Sequence, residues 1–259
     1  MKKKINIKKV LFGAFAIVAF LFLWHFATNG TLLGRLMPGP VAVFNRLIKS
    51  ISTPTGKFTL LGHILRSLSR VMTGFAIASV SGITLGLLIG WSKSVEAIVK
   101  PLFELIRPIP PIAWISIAVI WFGLGEGAKY FIIFISGFAN ITINVYTGAK
   151  SVDPELIGAA KMLGCSDRRI FTTIVIPSSV PYIFTGLQIA ISSSWAAVVA
   201  AEMVRSTDGI GWMITSGQGI GDMEQIMVGI IAIGLIGFLL ATIMRGVEAK
   251  LCAWSRVQD

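Results

Sequence analysis

Polar groups able to bind a solute are few in this chain, and they fall inside apolar runs. Ser192, Ser193 and Ser194 place three hydroxyls in mid-run just before Trp195, and Asn140 and Asn144 stand four residues apart in another run, on one helical face. Hydroxyls and amides in such surroundings have two uses: they bond a polar solute along a path, or they bond one helix to the next. Both uses are open for these residues. Pro108, Pro110 and Pro111 interrupt a third run. Each proline frees backbone carbonyls, which lipid tolerates only where protein or water satisfies them. Either that helix end, with Pro110 and Pro111, faces the interior of a bundle, or the prolines only start a helix at the membrane surface. Glu202 is the one acid at the outer end of a run, and it either pairs with Arg205 or belongs to an external mouth. Trp114, Trp121 and Trp195 either shape a cavity or anchor span ends at the interface.

Covalent and metal chemistry have no comparable footing. His25 and His63, the only histidines, lie in unrelated segments without a ligand at metal-site spacing, so neither a metal site nor a catalytic residue is expected. Cys165 and Cys252 both fall on the side read as cytoplasmic, where a disulfide does not persist. A phosphate-binding loop is missing: Gly56-Lys57 lacks the upstream glycine and has Phe58 where Ser or Thr is required. No cofactor is expected on this chain, and if ATP drives it, ATP and magnesium sit on another polypeptide. A net charge of +11 invites a nucleic-acid reading, but the basic residues flank apolar runs instead of forming a stripe with interleaved aromatics. No nucleic-acid partner is expected.

The segment 153–177 is different: it is charged, amphipathic and set between two long apolar runs. Asp153 suits a helix N-cap, Pro154 the first helical position, and Glu155 the positive end of the helix dipole. Leu156, Ala159, Ala160 and Leu163 then recur at i, i+3, i+4 and i+7, and Gly164 follows where a terminating glycine belongs. Ser166 reads as a second cap, 167–174 as another short helix with Asp167 and Arg168 at its start, and Pro177 and Pro181 as stops. The alanine-centred stripe either covers its own bundle or docks another protein.

Elements that could position these groups follow from composition. With 54% apolar and 14% charged residues and a mean hydropathy of +0.81, the chain has too little polar surface for a soluble globule of its length. An all-α polytopic membrane protein is expected. Six segments are long enough to span: about Val10 to Thr28, Val71 to Trp91, Pro108 to Leu124, Tyr130 to Gly148, Pro181 to Ala201, and Ile226 to Met244. Residues 1–9 and 249–259 are read as cytoplasmic tails around a transmembrane domain of residues 10–248. Lys2, Lys3, Lys4, Lys8 and Lys9 hold the first span cytoplasm-side, and this orientation puts fifteen Lys and Arg inside against eight outside. Most of the outside excess lies between Arg35 and Arg70, Arg66 included, and is read as side chains that snorkel to lipid headgroups, or as a rim that attracts an anion; Lys129 is counted on the same side. Gly82, Gly86 and Gly90 make overlapping GxxxG patterns, which predict close helix packing.

The 153–177 segment resembles the EAA loop of ABC importer permeases through Ala159, Ala160, Gly164, Ile174, Ile176 and Pro177 at the family's spacing, with Gly158 where the motif has glutamate. Two further strings, RPIPPIAWISIAVIWFGLGEG from Arg107 and PYIFTGLQIAISSSWAAVVAAEM from Pro181, followed by Gly209-Ile210-Gly211, resemble the nitrate, sulfonate and taurine branch of that family. The likeness runs from about Leu36 to Met244. It implies a type I importer-like fold with a cytoplasmic coupling helix, placed in the cytoplasmic membrane with both termini inside. It also implies a permease homodimer, two ATP-binding-cassette subunits and an extracytoplasmic solute-binding protein. The cargo implied is a small anionic solute such as taurine, another sulfonate or nitrate; thiamine precursors and aromatic acids are the alternative. A secondary transporter of an organic anion is the competing class, but it normally needs ionisable residues in mid-span, which are nearly absent here.

Overall fold

The computed structural model describes residues 7–252, and no strand forms among them. Helix α1 (Ile7–Thr28) carries Lys8 and Lys9 in its first turn, is largely apolar from Val10 onward, and packs on two short helices, α2 (Leu32–Leu36) and α3 (Pro40–Ser52). Helix α4 (Leu60–Trp91) has 32 residues and begins eleven positions before the expected Val71. Its first turns carry His63, Arg66 and Arg70, which read as loop residues only while their partners are unknown. One face of α4 is buried throughout: His63, Ser67 and Arg70, then Gly74, Ala78, Gly82 and Gly86.

The segment expected to span over 108–124 is only the second arm of a bent pair. Helix α5 (Lys93–Ile106) is capped by the Ser92 hydroxyl, and the chain then breaks at Pro108 to Pro111. A 3-10 turn (Pro111–Trp114) and helix α6 (Ile115–Phe122) follow, bent by 89° from α5. Eight residues rise only about 12 Å, too little to cross a bilayer alone. The proline cluster removes the donors that would continue α5. Helix α7 (Glu126–Lys150) then packs along α4, the longest helix contact in the bundle. The glycine pattern is the reason: a Cβ at Gly86 would lie 2.7 Å from the Val145 Cβ, and one at Gly90 only 2.4 Å from the Ala149 Cβ. Bare backbone on α4 lets α7 approach to this distance.

Helix α8 (Pro154–Met162) and helix α9 (Asp167–Ile170) occupy the segment singled out above. Pro177 and Pro181 do not stop the chain as expected. A five-residue π-helical stretch (Phe171–Val175) leads directly into α10 (Ile176–Arg205), which contains both prolines. The wider turn precedes Pro177 and shifts the preceding carbonyls out of α-helical register, which accommodates a residue without an N–H. Helix α11 (Ile210–Ile220) has no counterpart among the predicted segments, and α12 (Met223–Leu251) completes the fold. Although only 11 residues long, α11 buries Ile210 and Met213 against Val71, Ile133, Ile191 and Val198, so it belongs to the core. Five helical runs are long and apolar enough to cross a membrane, and the bent α5–α6 pair, if it crosses as one broken span, makes a sixth.

Candidate functional site

Three places on this scaffold gather the residues that could act. The first is α8. Asp153 caps it, its carboxylate accepting from the Glu155 N–H at 2.8 Å. The other end closes as a Schellman turn: the Cys165 N–H donates to the Ala160 carbonyl at 3.0 Å and the Gly164 N–H to the Lys161 carbonyl at 2.9 Å. Gly164 sits at φ +80°, a left-handed conformation that favours glycine. The expected stripe divides in two. Ala160 turns inward at 9% exposure, while Leu156 (50%), Met162 (86%) and Leu163 (84%) face outward beside exposed Ala159. No other part of the described chain covers this apolar patch. Asp167 pairs with Lys161 at 3.0 Å, Arg168 is exposed beside it, and Pro177 lies at the start of α10. At Gly158, where the motif's glutamate is missing, a Cβ would meet nothing within 4 Å, so the position has room for a side chain.

The second place is a cavity of about 470 Å³ between the α5–α6 break and the middle of α7. It brings together Pro110, Pro111, Trp114, Asn140 and Ser193, with aromatic walls from Phe103, Phe134 and Phe138. The Asn140 amide donates to the Ser193 hydroxyl at 3.0 Å and to the Ser136 carbonyl at 2.9 Å, so this pair also ties α7 to α10. Asn144, Trp195 and Glu202 are not at the cavity. Asn144 bonds back to the Asn140 carbonyl at 2.8 Å. Trp195 is 4% exposed in the core, and its indole donates to the Ile233 carbonyl of α12 at 3.0 Å.

The third place surrounds Glu202, which is fully buried. Its partner is Arg70, whose guanidinium donates at 2.8 Å; the Arg205 side chain lies outside the described residues. Arg70 also meets Glu126 through two bonds of 2.7 Å and Asp208 at 2.5 Å. Ser67 donates to Glu202 at 2.9 Å, the Gly211 N–H at 3.0 Å, and Lys129 joins through Glu126 at 2.8 Å. Arg70 is therefore a buried ion-pair member and not a headgroup contact, and Lys129 is buried beside it. The cluster pins α4, α7, α10 and the start of α11 together. Sequence reasoning misses it because its members are far apart along the chain; the only local signal is a cation inside an apolar helix.

The family described as "Binding-protein-dependent transport system inner membrane component" matches residues 82–251, a stretch that holds α8, the cavity and most of the ion cluster. The chain belongs to this family. The permease is similar to a putative ABC transporter permease of Methanocaldococcus jannaschii, 39% identical over 259 residues, with 98% of this chain and 96% of that protein covered. The taurine transport system permease of Escherichia coli is 35% identical, with 89% and 84% covered. The nitrate import permease of Synechocystis is 38% identical, with 90% and 86% covered. A solved amino acid ABC transporter superposes with a TM-score of 0.63 at 16% identity over 74% of this chain and 93% of that one, a likeness of fold. The permease is thus a multi-pass inner-membrane component with the type I ABC importer fold, in the branch expected from its sequence strings.

Proposed function

We propose that two copies of this permease form the path by which a small anionic solute of the sulfonate, taurine or nitrate class crosses the cytoplasmic membrane. Two ATP-binding-cassette subunits, which bind the ATP and magnesium, dock on α8, and an extracytoplasmic binding protein delivers the solute. Both termini lie in the cytoplasm. The observation that carries this reading is the outward patch of Leu156, Met162 and Leu163 on a helix fixed at both ends by its own caps. A rigid, apolar, uncovered ridge suits a protein partner and does nothing for the bundle beneath it. In this reading Pro110, Pro111, Trp114, Asn140 and Ser193 line the path. Closure of the ATPase pair displaces both α8 ridges together and switches the bundle between outward-facing and inward-facing states.

The test is reconstitution of the permease with its ATPase and binding protein in proteoliposomes, with labelled taurine, isethionate and nitrate as probes. Uptake should require ATP and all three components, and Cys165 should crosslink to the ATPase. Concentrative uptake by the permease alone, without nucleotide, refutes the reading.

A further inference from the structure

Many cations of the bundle are paired, and the one that lines the cavity is not. Arg46 meets Asp222, Arg70 meets three acids, Lys129 meets Glu126, and Lys100 and Lys150 reach Glu96. Arg107 has no ion pair and no side-chain hydrogen bond among the described residues, and its side chain is exposed in the single chain. It also lies away from both ends of α7. The start of α5 lies beside the end of α7, where Glu96 bonds Lys150, and α5 then climbs α7 until Phe103 packs on Phe138. Arg107 follows one turn later and lines the same cavity as Phe134, Phe138 and Asn140, level with the middle of a 25-residue span. By sequence it counts among the cytoplasmic charges; the structure sets it deeper. An unpaired guanidinium at that depth is costly against lipid and is retained where it faces protein or a water-filled path.

The rest of the cavity matches. None of its sixteen lining residues is Asp or Glu, so Arg107 is its one charge. Trp114 lines it too, as a further aromatic wall. A guanidinium without a counter-charge, no acid in the lining and aromatic walls form a site for an oxoanion.

We propose that Arg107 is the anion-coordinating residue of the path, taking a sulfonate or similar small oxoanion on its guanidinium inside the aromatic-walled cavity. This rests on the path reading above and adds to it: the permease itself selects for charge, separately from the binding protein. Transport then has two filters in series.

The test uses the full chain with its ATPase in membrane vesicles, with Cys165 and Cys252 replaced by serine. Asn140→Cys, or Ser193→Cys as a second reporter, is reacted from either face with a thiosulfonate reagent carrying a sulfonate and with one carrying a quaternary ammonium. With Arg107 present the anionic reagent should be favoured. Arg107→Gln should lower the anionic-to-cationic rate ratio roughly tenfold, the effect of one unit charge a few ångströms away in a partly hydrated site. Arg107→Lys should retain most of the preference. An unchanged ratio in Arg107→Gln overturns the proposal while leaving the path intact. Reporters that react with neither reagent from either face refute the path and, with it, this inference.

Discussion

Replacing Arg70 with methionine removes one guanidinium from among three carboxylates. Lost are two bonds of 2.7 Å to Glu126, one of 2.8 Å to Glu202, one of 2.5 Å to Asp208 and one of 3.2 Å to the Asp208 carbonyl. Glu126 and Asp208 keep some access to water, so their losses are small. Glu202 is fully buried and keeps only the Ser67 hydroxyl and the Gly211 N–H, two neutral donors facing a carboxylate. Removing one partner of a buried pair costs about 3–5 kcal/mol, because the other charge is left without compensation. For a chain of this size that corresponds to a drop of roughly 6–20 °C in the thermal midpoint of the purified permease. Glu202→Gln in the same chain removes the stranded charge, so the double variant should recover part of the loss. A midpoint that barely moves refutes the reasoning. So does a double variant whose loss equals the sum of the two single losses, since coupled residues do not add.

Three further outcomes are expected. Gly90→Val should push α4 from α7 and lower stability by about 1–3 kcal/mol, as overpacking does, with Ala149→Gly in the same chain restoring part of the thermal midpoint. Gly164→Val should cost about 1–2 kcal/mol in the left-handed turn and misplace the α8 ridge, so that ATP hydrolysis by the assembled transporter persists while uptake falls. Leu163→Asp should leave the amount of inserted permease unchanged and reduce co-purification of the ATPase at least tenfold, because a buried interface anchor is worth more than about 1.4 kcal/mol.

Local signals in the sequence are the reliable ones. Asp153, Pro154 and Gly164 specify the two ends of α8 within a dozen residues, and the structure places a cap and a left-handed turn at those ends. The glycines of α4 likewise announce a close helix contact, which α7 supplies. Features that depend on distant partners are not legible. Arg70 reads as a loop or headgroup residue until Glu126, Glu202 and Asp208 are placed around it, 56, 132 and 138 residues away. The first turns of α4 are lost for the same reason. Prolines mislead in both directions: they break the third span into two arms, yet Pro177 and Pro181 sit inside one helix, because a π-helical turn absorbs the first of them. Of the path residues, the five at the cavity share an aromatic wall that no spacing rule reveals, and Trp195 turns into the core to reach a carbonyl of α12.

The π-helical turn makes Asp167 to Val204 a single run of 38 residues. At about 1.5 Å per residue this is a rod of roughly 57 Å. One tip adjoins the ridge of α8, and the other is clamped by an arginine. A stiff beam held at its far end swings instead of sliding. With the pivot at Glu202, pushing the tip sideways by about 5 Å tilts the beam by roughly 5° and carries Ser193 only about 1 Å. The geometry is that of a reducing lever: in the proposed cycle a coarse stroke at the α8 end becomes a fine adjustment at the Ser193 cavity.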